Sequence, residues 1–163
     1  MGYLYDILDG PDGHDGKLRP NQLFSISLHH SPLPEDQRRS VVDACARHLL
    51  TGHGLRSLSA DDEDYIGHYG GDQLKRDGAY HQGTVWGWLI GPFVEAHLNV
   101  YKDADMAKSF LAPLLQELID DCVGSISEIF DGDPPFAPRG CIAQAWSVAE
   151  VLRTWQLTEQ YGK

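Results

Sequence analysis

Basic residues are scarce in this chain. Lys and Arg number 13 against 24 Asp and Glu, a formal charge of −11, and such a field repels phosphate backbones and anionic lipid surfaces. Nucleic acid and membrane are therefore poor partners. No stretch approaches the roughly 20 apolar residues that span a bilayer, and the opening MGYLYDILDG has no basic region leading into an apolar run. Neither a membrane span nor a secretion signal is expected. Cysteine is rare as well. Cys45, Cys122 and Cys141 are odd in number, far apart and without a CxxC pair, which favours free thiols in a reducing, cytoplasmic setting over a disulfide framework or a Cys-rich zinc site. The rest is ordinary: 163 residues, 42% hydrophobic and 23% charged, suit one soluble domain over residues 1–163.

Metal templates are missing too. There is no HExxH, His29 and His30 are adjacent, and Asp6, Asp9, Asp12 and Asp15 lack the alternation and closing Glu of a calcium loop. No metal or cofactor is expected.

Residues 6–16, DILDGPDGHDG, hold four Asp, three Gly and a Pro, and read as a loop. In PNQLFSISL, Pro20 suits a first helical turn, yet Phe24, Ile26 and Leu28 alternate with serines as a strand would. Pro34, Glu35 and Asp36 start a helix whose stripe is Val42, Cys45, Ala46 and Leu49, closed by Gly52 and Gly54. The 29 residues LRSLSADDEDYIGHYGGDQLKRDGAYHQG show little periodicity and read as one long loop.

Thr84 is placed to cap a helix through VWGWLIGPFVEAHLNVY, apolar on nearly all faces and so buried on most sides. Asp105 is placed to cap the next, where Met106, Phe110, Leu114 and Leu118 recur every fourth residue and Pro113 forces a kink or a break. A final helix, CIAQAWSVAEVLRTWQL, carries a stripe of Ile142, Ala145, Trp146, Ala149 and Leu152.

Three segments combine aromatic rings, amides and a His or Arg: 18–24, 79–88 and 125–147, the last with carboxylates as well. Aromatic faces stack on the C–H faces of sugars, while amides, guanidinium groups and carboxylates bond the hydroxyls. These stretches also carry a family resemblance. LRPNQLFSISL, GGDQLKRDGAYHQGTVWGWLIGPFVEA and GSISEIFDGDPPFAPRGCIAQAWSVAEVLRTW, in that order, resemble the C-terminal part of the amylo-α-1,6-glucosidase domain of glycogen debranching enzymes. One departure is Gly87, where the family usually has Pro between the two tryptophans; Gly loosens the backbone without removing a functional group.

The resemblance implies a mainly α fold, part of the (α/α)6 toroid of glucoamylase-like six-hairpin glycosidases, in which PNQLFSISL is helical. Twelve helices with their connections need roughly 200 residues, so a chain of 163 is expected to hold about half of the toroid. The missing N-terminal half, or self-association through apolar surface left uncovered, follows as an expectation. The implied reaction is inverting hydrolysis of α-1,6-linked glucose at branch points of glycogen or another α-glucan.

Glycoside hydrolysis takes a proton donor and a second carboxylate, which in inverting enzymes activates water. SEIFDGD resembles the base-bearing segment of the family and maps the general base onto Glu128, with Arg139 or nearby amides expected to keep it ionised. Read without the resemblance, Glu128 is a surface-loop carboxylate. The family's acid lies upstream of the matched region; within this chain Asp72 and Asp77 are the first candidates. Substrate contacts are assigned to Arg19, Asn21, Gln22, His81, Gln82, Trp86, Gln144 and Trp146. Alternatives stand beside them: Arg19 as a brace for the Asp-rich loop, His81 as a structural histidine, Trp146 as core. A non-catalytic α-glucan-binding or self-association module is the competing function.

Overall fold

A computed structural model describes residues 2–120 and 124–162; Cys122 lies outside them. The fold is mainly α. Two short strands, β1 (Ile7–Gly10) and β2 (Gly13–Asp15), pair antiparallel, so the expected loop over 6–16 is a small ribbon turning at Pro11 and Asp12. Gly13 makes that turn with φ +97°, a conformation glycine adopts without penalty. A 3-10 turn over Pro20–Leu23 runs into α1 (Phe24–Ser27). The segment is helical, as the resemblance implies and against its local alternation.

Helix α2 (Glu35–His48) has Glu35 and Asp36 in its first turn and Arg47 and His48 in its last, each set opposing the helix dipole favourably. Val42, Cys45 and Leu49 of the expected stripe are buried and Ala46 is half-buried. Gly52 and Gly54 do not end this helix. They shape the hairpin between β3 (Leu50–Thr51) and β4 (Gly54–Arg56).

The expected long loop carries β4 at its start and α3 (Gln73–Ala79) near its end, with Asp72 accepting the Lys75 amide as N-cap. Val85–Trp86 is strand β5 rather than helix. Thr84 accordingly caps nothing there; its hydroxyl donates to the Tyr80 carbonyl. A 3-10 turn over Gly87–Leu89 then leads into α4 (Ile90–Tyr101). Strands β6 (Ile129–Phe130) and β7 (Pro138–Arg139) complete an antiparallel sheet in the order β3-β4-β5-β6-β7. Its strands are two or three residues long, too short for an alternating pattern to register.

Helix α4 is the hub. Ile90, Phe93, Val94, Ala96 and Leu98 are buried, as its all-round apolar sequence requires, and α1, α2, α5 and α7 pack on it. Helix α5 (Ala104–Ser109) starts at Asp103, whose side chain accepts the Met106 amide, so Asp105 lies in the first turn instead of at the cap. Pro113 stands in the first turn of a separate helix, α6 (Ala112–Asp120), and the expected break occurs.

Helix α7 (Ala145–Tyr161) is rotated by about half a turn from the expected face. Ile142 is 76% exposed, Leu152 65% and Trp146 47%, while Ser147, Val151, Thr154 and Thr158 are buried. Close approach explains the reversal. A Cβ on Gly91 would lie 1.8 Å from Glu150 Oε2, and one on Gly87 3.2 Å from Ser147 Oγ. Gly91 leaves room for the Glu150 side chain and Gly87 for that of Ser147, and buried hydroxyls are tolerated because Thr154 donates to the Glu150 carbonyl at 2.6 Å and Thr158 to the Trp155 carbonyl at 2.7 Å. Among the described residues, no helix is long and apolar enough to cross a membrane.

Candidate functional site

A cleft of about 600 Å³ opens between the β1–β2 ribbon, the Pro20 turn, the segment after α3 and the start of α7, a size suited to small ligands. Arg19 enters it because the residue before a proline is held extended, here at φ −123°, ψ 158°. Its Nη1 donates to the carbonyls of Ser57 (3.1 Å) and His81 (2.6 Å), and its Nη2 to Gln82 Oε1 (2.5 Å). Nε lies 3.5 Å from Asp6 Oδ2. Arg19 thus ties the ribbon, β4 and the His81 segment together at one corner of the cleft.

Aromatic rings form the adjoining wall. His81 stacks on Trp86 with centroids 5.1 Å apart and planes 5° off parallel, and Trp88 stacks on Trp146 at 4.9 Å. Strand β5 sets Trp86 in place through its register opposite Leu55 and Ile129, and Trp86 Nε1 donates to the Tyr80 carbonyl at 3.2 Å. Burial, and then the Arg19 charge, lower the His81 pKa from its ordinary value, so the neutral ring is favoured.

Six of the assigned contacts line this cleft: Arg19, Asn21, His81, Gln82, Trp86 and Trp146. Gln22 does not. It is buried beneath, donating to the Arg19 carbonyl at 2.8 Å and accepting the Leu4 amide at 3.1 Å, and it faces a smaller neighbouring cavity of about 250 Å³. Gln144 precedes α7, and its amide donates to the Ile126 carbonyl at 2.9 Å; it is not part of the cleft wall.

Glu128 sits one side chain behind the aromatic wall. Its Oε1 accepts the Tyr80 hydroxyl and its Oε2 accepts the Cys141 amide at 2.8 Å. The Tyr80 ring packs edge-on against both His81 and Trp86, at 4.8 Å from each. Burial and then the Glu128 carboxylate raise the Tyr80 pKa, so this hydroxyl stays a donor. Arg139 does not hold Glu128. It forks onto Asp131, with Nη2 2.8 Å from Oδ2. Burial opposes ionisation of Asp131, but Arg139, the Tyr69 amide and His68 prevail and lower its pKa. Neither Asp72 nor Asp77 lines the cleft.

Sequence reasoning missed Asp6, Asp15, Ser57 and Trp88, all of which line the cleft. Trp88 lies within a segment already rich in ring chemistry. Asp6 had no separate signal, because its position depends on the ribbon folding back over Asn21.

The chain matches the family model described as amylo-alpha-1,6-glucosidase over residues 1–153. It belongs to the amylo-alpha-1,6-glucosidase family. The match takes in every residue that lines the cleft, and Glu128. A relative, the glycogen debranching enzyme of Saccharomyces cerevisiae, is 33% identical over 97 residues, covering 53% of this chain and 6% of the yeast protein. This amylo-alpha-1,6-glucosidase family chain therefore spans a small part of the curated relative it matches.

Proposed function

We propose that this chain carries the glucan-binding cleft and the general base of an α-1,6-glucosidase acting with inversion at the branch points of an α-glucan, the general acid lying outside it. One observation supports the reading above others. In a chain of this family, Glu128 is linked through Tyr80 to the Trp86–His81 wall of a cleft that offers rings and hydroxyl-bonding groups together. Glu128 would take a proton from water, and Tyr80 and the Cys141 amide would fix the direction of its oxygens. The remaining helices of an (α/α)6 toroid would complete the fold around residues 1–163.

The test is release of free glucose from an α-1,6-branched oligosaccharide, set beside calorimetric titration with maltooligosaccharides. Binding with little or no turnover is expected, because a general acid typically contributes about 10²–10⁴-fold. Robust turnover by the chain alone would overturn the placement of the acid.

The competing reading, a module that binds α-glucan or self-associates, draws on α7. Ala145, Ala149 and Leu152 form an exposed apolar stripe opposite its buried face, with exposed Ile142 just before the helix, and uncovered apolar surface promotes association. In isolation the chain would pair with a second copy through this stripe. Sedimentation of a clean monomer with a native melt would count against that. The exposed thiol of Cys141 supports a reducing, cytoplasmic setting.

A further inference from the structure

Asp6 is one of two carboxylates that line the cleft, and its surroundings restrict what it does. Its amide donates to the Asp15 carbonyl at 2.9 Å, which fixes the base of the β1–β2 ribbon. Its Oδ1 accepts Asn21 Nδ2 at 3.2 Å and its Oδ2 lies 3.5 Å from Arg19 Nε. The side chain is only 18% exposed, so its direction is set before any ligand arrives. Arg19, for its part, spends both terminal nitrogens on Ser57, His81 and Gln82. It orients Asp6 and has little left to offer a ligand.

An ionised carboxylate has acceptors alone, about four lone-pair directions over two oxygens. Asn21 and Arg19 engage one direction on each oxygen, which leaves acceptors for two neighbouring donors. Adjacent sugar hydroxyls are such donors. A sugar ring also has a C–H face for Trp146, which lines the same cleft and is exposed. Asp15, the other carboxylate on the cleft wall, accepts the Lys17 amide at 2.9 Å through Oδ1 and closes a local turn.

We propose that Asp6 is the hydroxyl-accepting residue of the cleft, binding two adjacent hydroxyls of a neutral glucosyl ring and excluding phosphorylated sugars. The proposal rests on the α-glucan reading and adds its specificity determinant. Exclusion follows from charge. Asp6 and Asp15 line the cleft while the guanidinium of Arg19 is committed to protein acceptors, so a phosphate on the ring would meet like charge, with no uncommitted Lys or Arg among the described lining residues.

Calorimetric titration of the full chain with isomaltose, with singly deoxygenated isomaltosides and with glucose 6-phosphate tests it. Asp6→Asn is expected to weaken isomaltose binding by roughly 10–100-fold, the range for a hydrogen bond to a charged group, with Asp12→Asn in the same ribbon as an unchanged control. One or two deoxygenations should weaken binding to the native chain by a similar factor and cost Asp6→Asn nothing further. Glucose 6-phosphate should not bind.

Equal isomaltose affinity for Asp6→Asn and the native chain would overturn the proposal and leave the α-glucan reading standing. So would tight glucose 6-phosphate binding, or a deoxygenation series with no step on the native chain, which needs no variant to fold. Absence of isomaltose and maltooligosaccharide binding by a natively melting chain would overturn the reading itself.

Discussion

Asp6 and Glu128 occupy two corners around the same tryptophan cluster, and they are built differently. Asp6 lines the cleft on a two-stranded ribbon, set by Asn21 and Arg19. Glu128 stands beside the five-stranded sheet, behind the wall, with Tyr80 on one oxygen and the Cys141 amide on the other. The first arrangement leaves acceptor capacity on both oxygens of a carboxylate in the cleft wall. The second holds a carboxylate in a fixed direction and separates it from the cleft by one ring. On the proposed function, recognition belongs to the ribbon corner and proton transfer to the sheet corner.

Glu128→Gln separates the corners most strongly. It should lower any measurable glucose release by roughly 10²-fold or more while isomaltose affinity stays within about twofold, the inverse of the Asp6→Asn result. Kinetic and calorimetric assays on one preparation check both.

Gly54→Ala should damage both corners at once. Gly54 has φ +131°, and a Cβ there would lie 2.2 Å from the Trp86 carbonyl oxygen, so β4 and β5 would have to separate. The expected cost is about 3 kcal/mol, read as a lower midpoint in denaturant unfolding.

Tyr80→Phe is a milder, local change. It removes the donor to Glu128 Oε1 but keeps the ring between His81 and Trp86. A loss of about 1–2 kcal/mol is expected for a partly exposed charged hydrogen bond. Chemical denaturation measures it, and isomaltose affinity should change little.

Acid is the gentlest probe. Burial lowers the His97 pKa below the ordinary 6.5, and among the described residues its Nδ1 has no hydrogen-bond partner. The folded state favours the neutral ring. Its contribution is therefore present above about pH 6.5 and is lost as pH falls through the lower folded value. His81, lowered by burial and by Arg19, has the same sign. Melts at pH 7.5 and pH 5 should show a drop in the native chain that His97→Phe partly removes.

How much of this was legible in the sequence differs between elements. Helix α4 could be read because it is apolar on all sides and buried on nearly all. Helix α7 could not. Its packing face is made of Ser147, Val151, Thr154 and Thr158, with Ser147 set against Gly87, whereas hydrophobic periodicity marks the opposite, exposed face. The cleft was legible where chemistry is concentrated, as in AYHQGTVWGW. It was not legible at Asp6, whose neighbours Arg19 and Asn21 are brought to it by the fold. The sheet escaped notice because strands of two residues are defined by long-range pairing alone.

Tryptophan fluorescence during titration of the native chain with isomaltose tests the central claim most directly. Trp86, Trp88 and Trp146 all line the cleft, so a saturable change in emission is predicted, together with its marked reduction in a Trp88→Ala, Trp146→Ala double variant that retains a native melt. Emission that stays constant through millimolar isomaltose in a folded chain would contradict the account.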